Sequence, residues 1–154
     1  AQKFLRTTML KEFETELITT IKEVCKNTRT YLGEFEDKNE MELLIKGGEC
    51  FAFIEFMGDN YVDTVRKNAT YNIHILAATS SKTSLYRQNN KFAALDMCES
   101  IDEKLRSSVL NNEFQILLKG VKVRLNAITD YGYVYVLTRE IQTDFLKKDE
   151  FLCS

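Results

Sequence analysis

Residues Val121 to Thr143 read V-K-V-R-L-N-A-I-T-D-Y-G-Y-V-Y-V-L-T-R-E-I-Q-T, and this stretch decides the fold. Its first part places Val121, Val123, Leu125 and Ala127 on one side of an extended chain and Lys122, Arg124 and Asn126 on the other. That is the two-residue period of a half-buried strand. Asp130 and Gly132 bracket a tight reversal, and the run after them is rich in β-branched and aromatic residues. Two such strands joined by so short a turn form an antiparallel hairpin. A hairpin alone is marginal in water, so further strands and at least one helix must cover its apolar side.

The chain upstream supplies those parts. Phe114 to Leu118 reads as another strand, set off from the hairpin by Lys119-Gly120. Before it, Ala94, Met97, Cys98, Ile101 and Leu105 form a helical stripe, with Phe92 and Leu95 beside it, in a helix from near Ser84 to about Leu105. Ser107, Asn111 and Asn112 mark the connection that follows, and the polar run from Thr79 to Thr83 is an exposed loop. Thr70 to Ala78 alternates cleanly, with Tyr71, Ile73, Ile75 and Ala77 facing one way and Asn72 and His74 the other. Its sheet partner is the strand Glu49 to Met57, across a loop containing Asp63 to Asn68, with Gly58, Asp59 and Asn60 ending the earlier strand. In that strand Ala52, Ile54 and Phe56 line one face while Phe51 and Phe53 line the other. A strand apolar on both faces is either covered on both sides or meets another subunit.

Further upstream, Met41, Leu44 and Ile45 suggest one or two helical turns stopped by Gly47 and Gly48, and Glu36 to Glu40 reads as a solvated loop. Tyr31 to Phe35 is a short strand or turn. From Met9 to about Asn27, Leu10, Phe13, Leu17, Ile21 and Val24 recur at helical spacing, widened by Ile18 and Cys25, with Thr8 as a candidate N-cap. The fold class is therefore α+β: a mainly antiparallel sheet with two long helices packed on one face. Residues 9–145 are expected to form a single domain, with the native start at or near Met9. Residues 1–8 are then a non-native leader or a flexible N-terminus, and 146–154 a flexible C-terminal tail.

At 154 residues, with 44% hydrophobic and 29% charged residues, the chain can bury a core without staples. The formal net charge of -2 gives no global attraction to nucleic acid or an anionic membrane. No long uncharged apolar run suggests a transmembrane helix. Cys25, Cys50, Cys98 and Cys153 form no C-x-x-C pair and read as reduced, mostly buried small hydrophobes. No metal site or cofactor is expected: the cysteines are scattered, and His74 is the sole histidine.

Catalytic chemistry is not expected either. A hydrolytic triad would need His74 beside an activated Ser or Cys and an orienting acid, yet it sits mid-strand and reads as a solvated or interfacial histidine. The doubled glycine at 47–48 lacks a phosphate-loop context and precedes a strand. Glu99, Asp102 and Glu103 share a helical face but read as a solvated surface, as do Asp59, Asp63 and Asp96. Tyr133 and Tyr135, with Lys122 and Arg124 on the partner strand, invite a single-strand nucleic-acid reading; the aromatic signature of such domains is missing.

Several phrases carry a resemblance: L-K-E-F-E-T-E-L from Leu10, Y-L-G-E at Tyr31 to Glu34, F-A-F-I-E-F-M-G at Phe51 to Gly58 and I-L-A-A-T-S at Ile75 to Ser80. A-A-L-D-M-C-E-S-I at Ala93 to Ile101 and V-Y-V-L-T-R-E-I-Q-T-D-F at Val134 to Phe145 continue it. In these the chain resembles the Mu-like prophage family of small tail proteins, a domain of unknown function related to phage tail terminators. The resemblance implies a structural protein of the virion tail, assembled in a bacterial cytoplasm. Its partners would be copies of itself in a ring of six, the tail tube and a head-completion protein. Intersubunit or tube contacts are then expected at Phe51 and Phe53 and at Tyr133 and Tyr135. Arg66, Lys67 and Lys82 are expected to pair with Glu36, Asp37 and Glu40 of the next subunit. The competing class is a host-side soluble binding or adaptor domain of the same layout.

Overall fold

The computed structural model describes residues 9–107 and 115–146. In chain order the elements are α1 (Met9–Ile21), β1 (Thr28–Thr30), a 3-10 turn (Glu34–Glu36), α2 (Lys38–Gly47) and β2 (Cys50–Tyr61). Then follow β3 (Arg66–Thr79), α3 (Ser84–Ser107), β4 (Gln115–Thr129) and β5 (Gly132–Leu146). The expected N-cap Thr8, the connection at Asn111 and Asn112, Phe114, and the tail with Cys153 lie outside the described residues.

The opening stretch forms the β4–β5 hairpin, with Thr129 opposite Gly132. The strict alternation expected along its first strand is interrupted. Register shifts fall between Leu118 and Val121 and between Val123 and Leu125. Each adds a residue on β4 without one on β5, so the side-chain parity flips. Val121 and Val123 therefore share a side with Ile128, while Leu125 and Ala127 turn to the opposite one and join a different apolar cluster. Lys119-Gly120 is a bulge within one fifteen-residue strand, not a separator between two.

The sheet runs β1-β2-β3-β5-β4. It is mixed: β1 joins β2 in parallel, and the other pairings are antiparallel. The β2–β3 hairpin is longer than its sequence suggests. Gly58, at φ 130, absorbs a register shift and the ladder continues to Tyr61↔Lys67. The reversal is confined to residues 62–65, where Asp63 Oδ1 accepts from the amides of Val65 (2.9 Å) and Arg66 (2.8 Å).

One face of the sheet carries α1 and α3. Phe13, Leu17 and Ile21 from α1 and Ala94, Cys98, Ile101 and Leu105 from α3 meet Tyr71, Ile73, Ile75, Tyr135, Leu137 and Ile141 in the main core. A third helix corrects the one-sided layout. Leu44 and Ile45 of α2, with Tyr31 and Phe35 before it, cover Phe53, Leu76, Ala78, Val134 and Val136 on the opposite face. The stretch Glu36 to Glu40 is thus no loop. It closes a 3-10 turn and starts α2, with Asp37 as N-cap accepting from Asn39 N (2.8 Å) and Glu40 N (3.2 Å). Gly48, left-handed at φ 65, ends that helix. At the end of α1 the chain tightens after Ile21 instead of continuing to Asn27. Glu23 N and Val24 N bond to Thr20 O (3.2 Å) and Ile21 O (3.0 Å), which turns Cys25 into the core.

Gly132 is where α2, β3 and β5 crowd together. A Cβ there would lie 2.2 Å from Thr79 O, 2.7 Å from Ser80 Cα and 3.0 Å from Ile45 Cγ2.

Candidate functional site

The side chains expected at an interface are distributed quite differently from one another. Tyr133 and Tyr135 are buried on the helix-covered face, and Tyr133 Oη donates to Asn126 Oδ1 at 2.6 Å. Phe53 is wholly buried under the 3-10 turn, edge-on to Phe35 at 5.4 Å. Phe51 is half-buried and stacks on Phe53 at 5.8 Å. These rings are core of the chain itself: the doubly apolar strand is covered on both faces from Ala52 to Ile54, the other possibility its pattern allowed, and only towards Phe56 and Met57 is it open. Placing contacts at Tyr133, Tyr135 and Phe53 is corrected accordingly, since a buried ring offers a neighbour no area.

The charges expected to reach the next subunit have partners closer to hand. Lys67 Nζ lies 3.2 Å from Asp59 and Arg66 Nη2 3.7 Å from Asp63, within the same hairpin. Glu36 lies 3.5 Å from Arg124, and Asp37 is committed to capping α2. Lys82 is exposed in the loop before α3. These residues are not brought into one patch, and Glu36 and Arg66 belong to separate ion pairs.

What the fold does expose is backbone edge. No described strand pairs with the outer side of β4, and none of that strand's residues is buried. Leu117, Val121, Val123 and Ile128 stand 44–57% exposed along it. Lys119, Lys122 and Arg124 give β4 only basic charges. At the opposite margin β1 protects β2 only from Ala52 to Ile54. Beyond it, Phe56, Met57 and Tyr61 are exposed on a stretch paired only to β3. The two margins differ in length, in charge and in apolar content. Unpaired edges of this kind are templates for strand addition unless something covers them.

His74 is the titratable group most changed from its sequence reading. It is wholly buried, not solvated. Its Nε2 lies 2.7 Å from Glu55 Oε1 and its Nδ1 2.7 Å from Thr138 Oγ1, on the neighbouring strands β2 and β5. A carboxylate only accepts, so the neutral ring donates from Nε2 to Glu55 and accepts at Nδ1 from the Thr138 hydroxyl. Tyr31 and Phe35 pack edge-on against the imidazole at 5.3 and 5.6 Å, and the Arg124 guanidinium stacks over Phe35 at 5.1 Å. Burial holds the His74 pKa below its ordinary value, the nearby Arg124 charge adds to this, and the Glu55 hydrogen bond opposes it. An acid, a base and a hydroxyl thus lie in line, but beneath an aromatic roof. That arrangement ties three strands together.

Asp102, read as surface, is likewise part of the interior. It receives Arg139 Nε at 2.9 Å and Nη2 at 2.5 Å, while Arg139 Nη1 donates to Lys119 O at 2.8 Å and fixes the first bulge of β4. A cleft of about 450 Å³ beside β1 is lined by Arg29, Glu34 and Asp37 among others. Two of its acids are already occupied: Glu34 accepts from Leu32 N at 2.7 Å and faces Arg29 at 3.4 Å, and Asp37 is the cap. Among the described residues no three His, Cys, Asp or Glu side chains converge as metal ligands, and no helix is long and apolar enough to cross a membrane. No protein-family model matches the chain, and a search of curated proteins finds no match either.

Proposed function

We propose that this protein is a structural component of a phage or prophage tail, of the tail-terminator kind. Copies of it would associate side by side into a ring that caps the head-proximal end of the tail tube. The observation that carries this reading is the pair of unlike open margins on opposite sides of one sheet. A ring of identical chains needs heterologous contacts, in which one surface of each copy meets a different surface of the next. The long apolar and basic edge of β4 and the half-covered edge of β2 provide two such surfaces on one rigid frame. Tyr133, Tyr135 and Phe53 serve this role indirectly, by fixing the sheet that presents the edges.

The test is sedimentation at several concentrations together with electron microscopy of tail tubes mixed with the protein. Rings at high concentration or on tube ends, with tubes of uniform length, are expected. A Val121→Lys, Val123→Lys chain should fold normally, since both side chains are exposed, yet fail to associate. A wild-type chain that stays monomeric at every concentration and leaves tube ends bare would overturn the proposal. Association of the double-lysine chain equal to wild type would remove β4 from it.

A further inference from the structure

Cys25 and Cys50 are far apart in sequence but adjacent in the fold. Cys25 follows the tightened end of α1, and Cys50 opens β2 directly after the Gly47-Gly48 stop. The Cys25 thiol donates to Cys50 O at 3.7 Å. Cys50 packs against the same apolar cluster that buries Cys25. The backbones around them are stitched together. Ala52 N donates to Asn27 O at 3.1 Å, and Asn27 Nδ2 donates to Cys50 O (3.3 Å) and Glu49 Oε2 (3.2 Å). Lys26 Nζ lies 3.7 Å from Glu49, which precedes Cys50 in the chain.

We infer that Cys25 and Cys50 are a built dithiol that a hydroperoxide converts to a disulfide, pinning the end of α1 to the start of β2. This rests on the thiol contact and is independent of the tail reading. Three features support it. Cys25 Sγ already lies 3.7 Å from the Cys50 carbonyl oxygen, and Cys25 sits in irregular chain that can move to bring the sulfurs to the ~2.05 Å of a disulfide. Cys25 is the thiolate partner: hydrogen bonding from Cys50 lowers its pKa to about 7, with Thr28 and the Asn27 backbone assisting and burial opposing. Cys50 is raised by the same contact and by burial, so it keeps its proton. Cys50 is also only half-buried while Cys25 is buried, so a small oxidant reaches the pair from the Cys50 side.

The chemistry balances in two steps. The Cys25 thiolate attacks the terminal oxygen of the hydroperoxide; the O–O bond breaks, that oxygen stays on sulfur as a sulfenic acid, and the other oxygen leaves as alcohol or water after taking a proton from solvent. The Cys50 sulfur then attacks the sulfenic sulfur, expelling water and leaving the disulfide. Cys98 is buried in α3 with its thiol pKa raised by burial, and it takes no part.

The experiment treats the folded full-length chain with hydrogen peroxide at neutral pH, alkylates free thiols, and maps tryptic peptides. The expected result is a loss of two hydrogens in intact mass and a linked peptide joining residues 23–26 to 47–66, reversed by dithiothreitol. Cys25→Ser and Cys50→Ser should each abolish the link. The oxidised chain should unfold about 5–10 °C above the reduced one, because the bridge restrains the unfolded state. Full alkylation of both thiols in peroxide-treated, folded protein would overturn the inference, as would linkage of either one to Cys98 or Cys153 instead. Since the wild-type map decides by itself, a serine variant that fails to fold costs the test nothing.

Discussion

Replacing Gly132 by alanine tests whether the crowding at the turn of the β4–β5 hairpin is real. Gly132 has φ 145, a conformation alanine adopts only under strain of about 1–3 kcal/mol. The added Cβ would also lie 2.2 Å from Thr79 O and 2.7 Å from Ser80 Cα, both backbone atoms that a side-chain rotation cannot move. Relief requires the β3–α3 loop or the hairpin to shift, which adds about 1–3 kcal/mol of overpacking cost. The sum is about 2–6 kcal/mol, or roughly 4–24 °C in unfolding midpoint for a domain of this size. Two other glycines make the series internally controlled. Gly58 has φ 130 but nothing within 4 Å, so its alanine variant should lose only the strain. Gly120 has open space and no positive φ, and its variant should stay within about 0.5 kcal/mol of wild type. Chemical denaturation of the three variants gives the ranking directly. Gly132→Ala no less stable than Gly120→Ala would refute the packing of β5 against the end of β3.

Arg139→Met should cost about 3–5 kcal/mol, because it strands the Asp102 carboxylate in the interior; adding Asp102→Leu should recover much of that loss in the same denaturation assay. His74→Ala should destabilise by about 2–4 kcal/mol through a cavity and the unpaired Thr138 hydroxyl, read from the unfolding midpoint. The folded pKa of His74 is depressed from 6.5, so the unfolded state binds the extra proton first. Its contribution is therefore present above about pH 6.5 and is lost as pH falls through the folded value, and His74→Gln should flatten that part of the stability–pH curve. Lys67→Glu should lower stability by about 1 kcal/mol, because Lys67 is largely buried beside Asp59. Arg66→Glu, on an exposed side chain, should change the unfolding midpoint little.

Much of the frame could be read from the sequence because its signals are local. In β3 the alternation of Tyr71, Ile73, Ile75 and Ala77 against Asn72 and His74 holds without a break, and the α3 stripe of Ala94, Cys98, Ile101 and Leu105 is the buried one. The β4 pattern misled because a bulge is defined by the partner strand. Nothing in V-K-V-R-L marks Arg124 as an extra residue until β5 is laid beside it. The partners of His74 were hidden for a similar reason, since Glu55 and Thr138 lie 19 and 64 residues away in the chain.

Alternation also says which residues share a side without saying what covers that side, and here helix length decides. α3 has 24 residues, so it extends about 36 Å, while the 14 residues of β3 extend about 46 Å. The helix can shield most of its face, which is why Tyr133 and Tyr135 at one end and Ile141 towards the other are all buried. α2 has 10 residues, about 15 Å, and can roof only one end of the opposite face. Along that face the composition changes where the roof ends. Leu76 and Ala78 lie under α2, Asn72 and Thr70 lie beyond it half-exposed, and His74 stands at the boundary with Tyr31 and Phe35 closing over it. The switch from apolar to amide and hydroxyl side chains within one strand face was therefore the available sign that the helical turns read at Met41 to Ile45 cover this end of it.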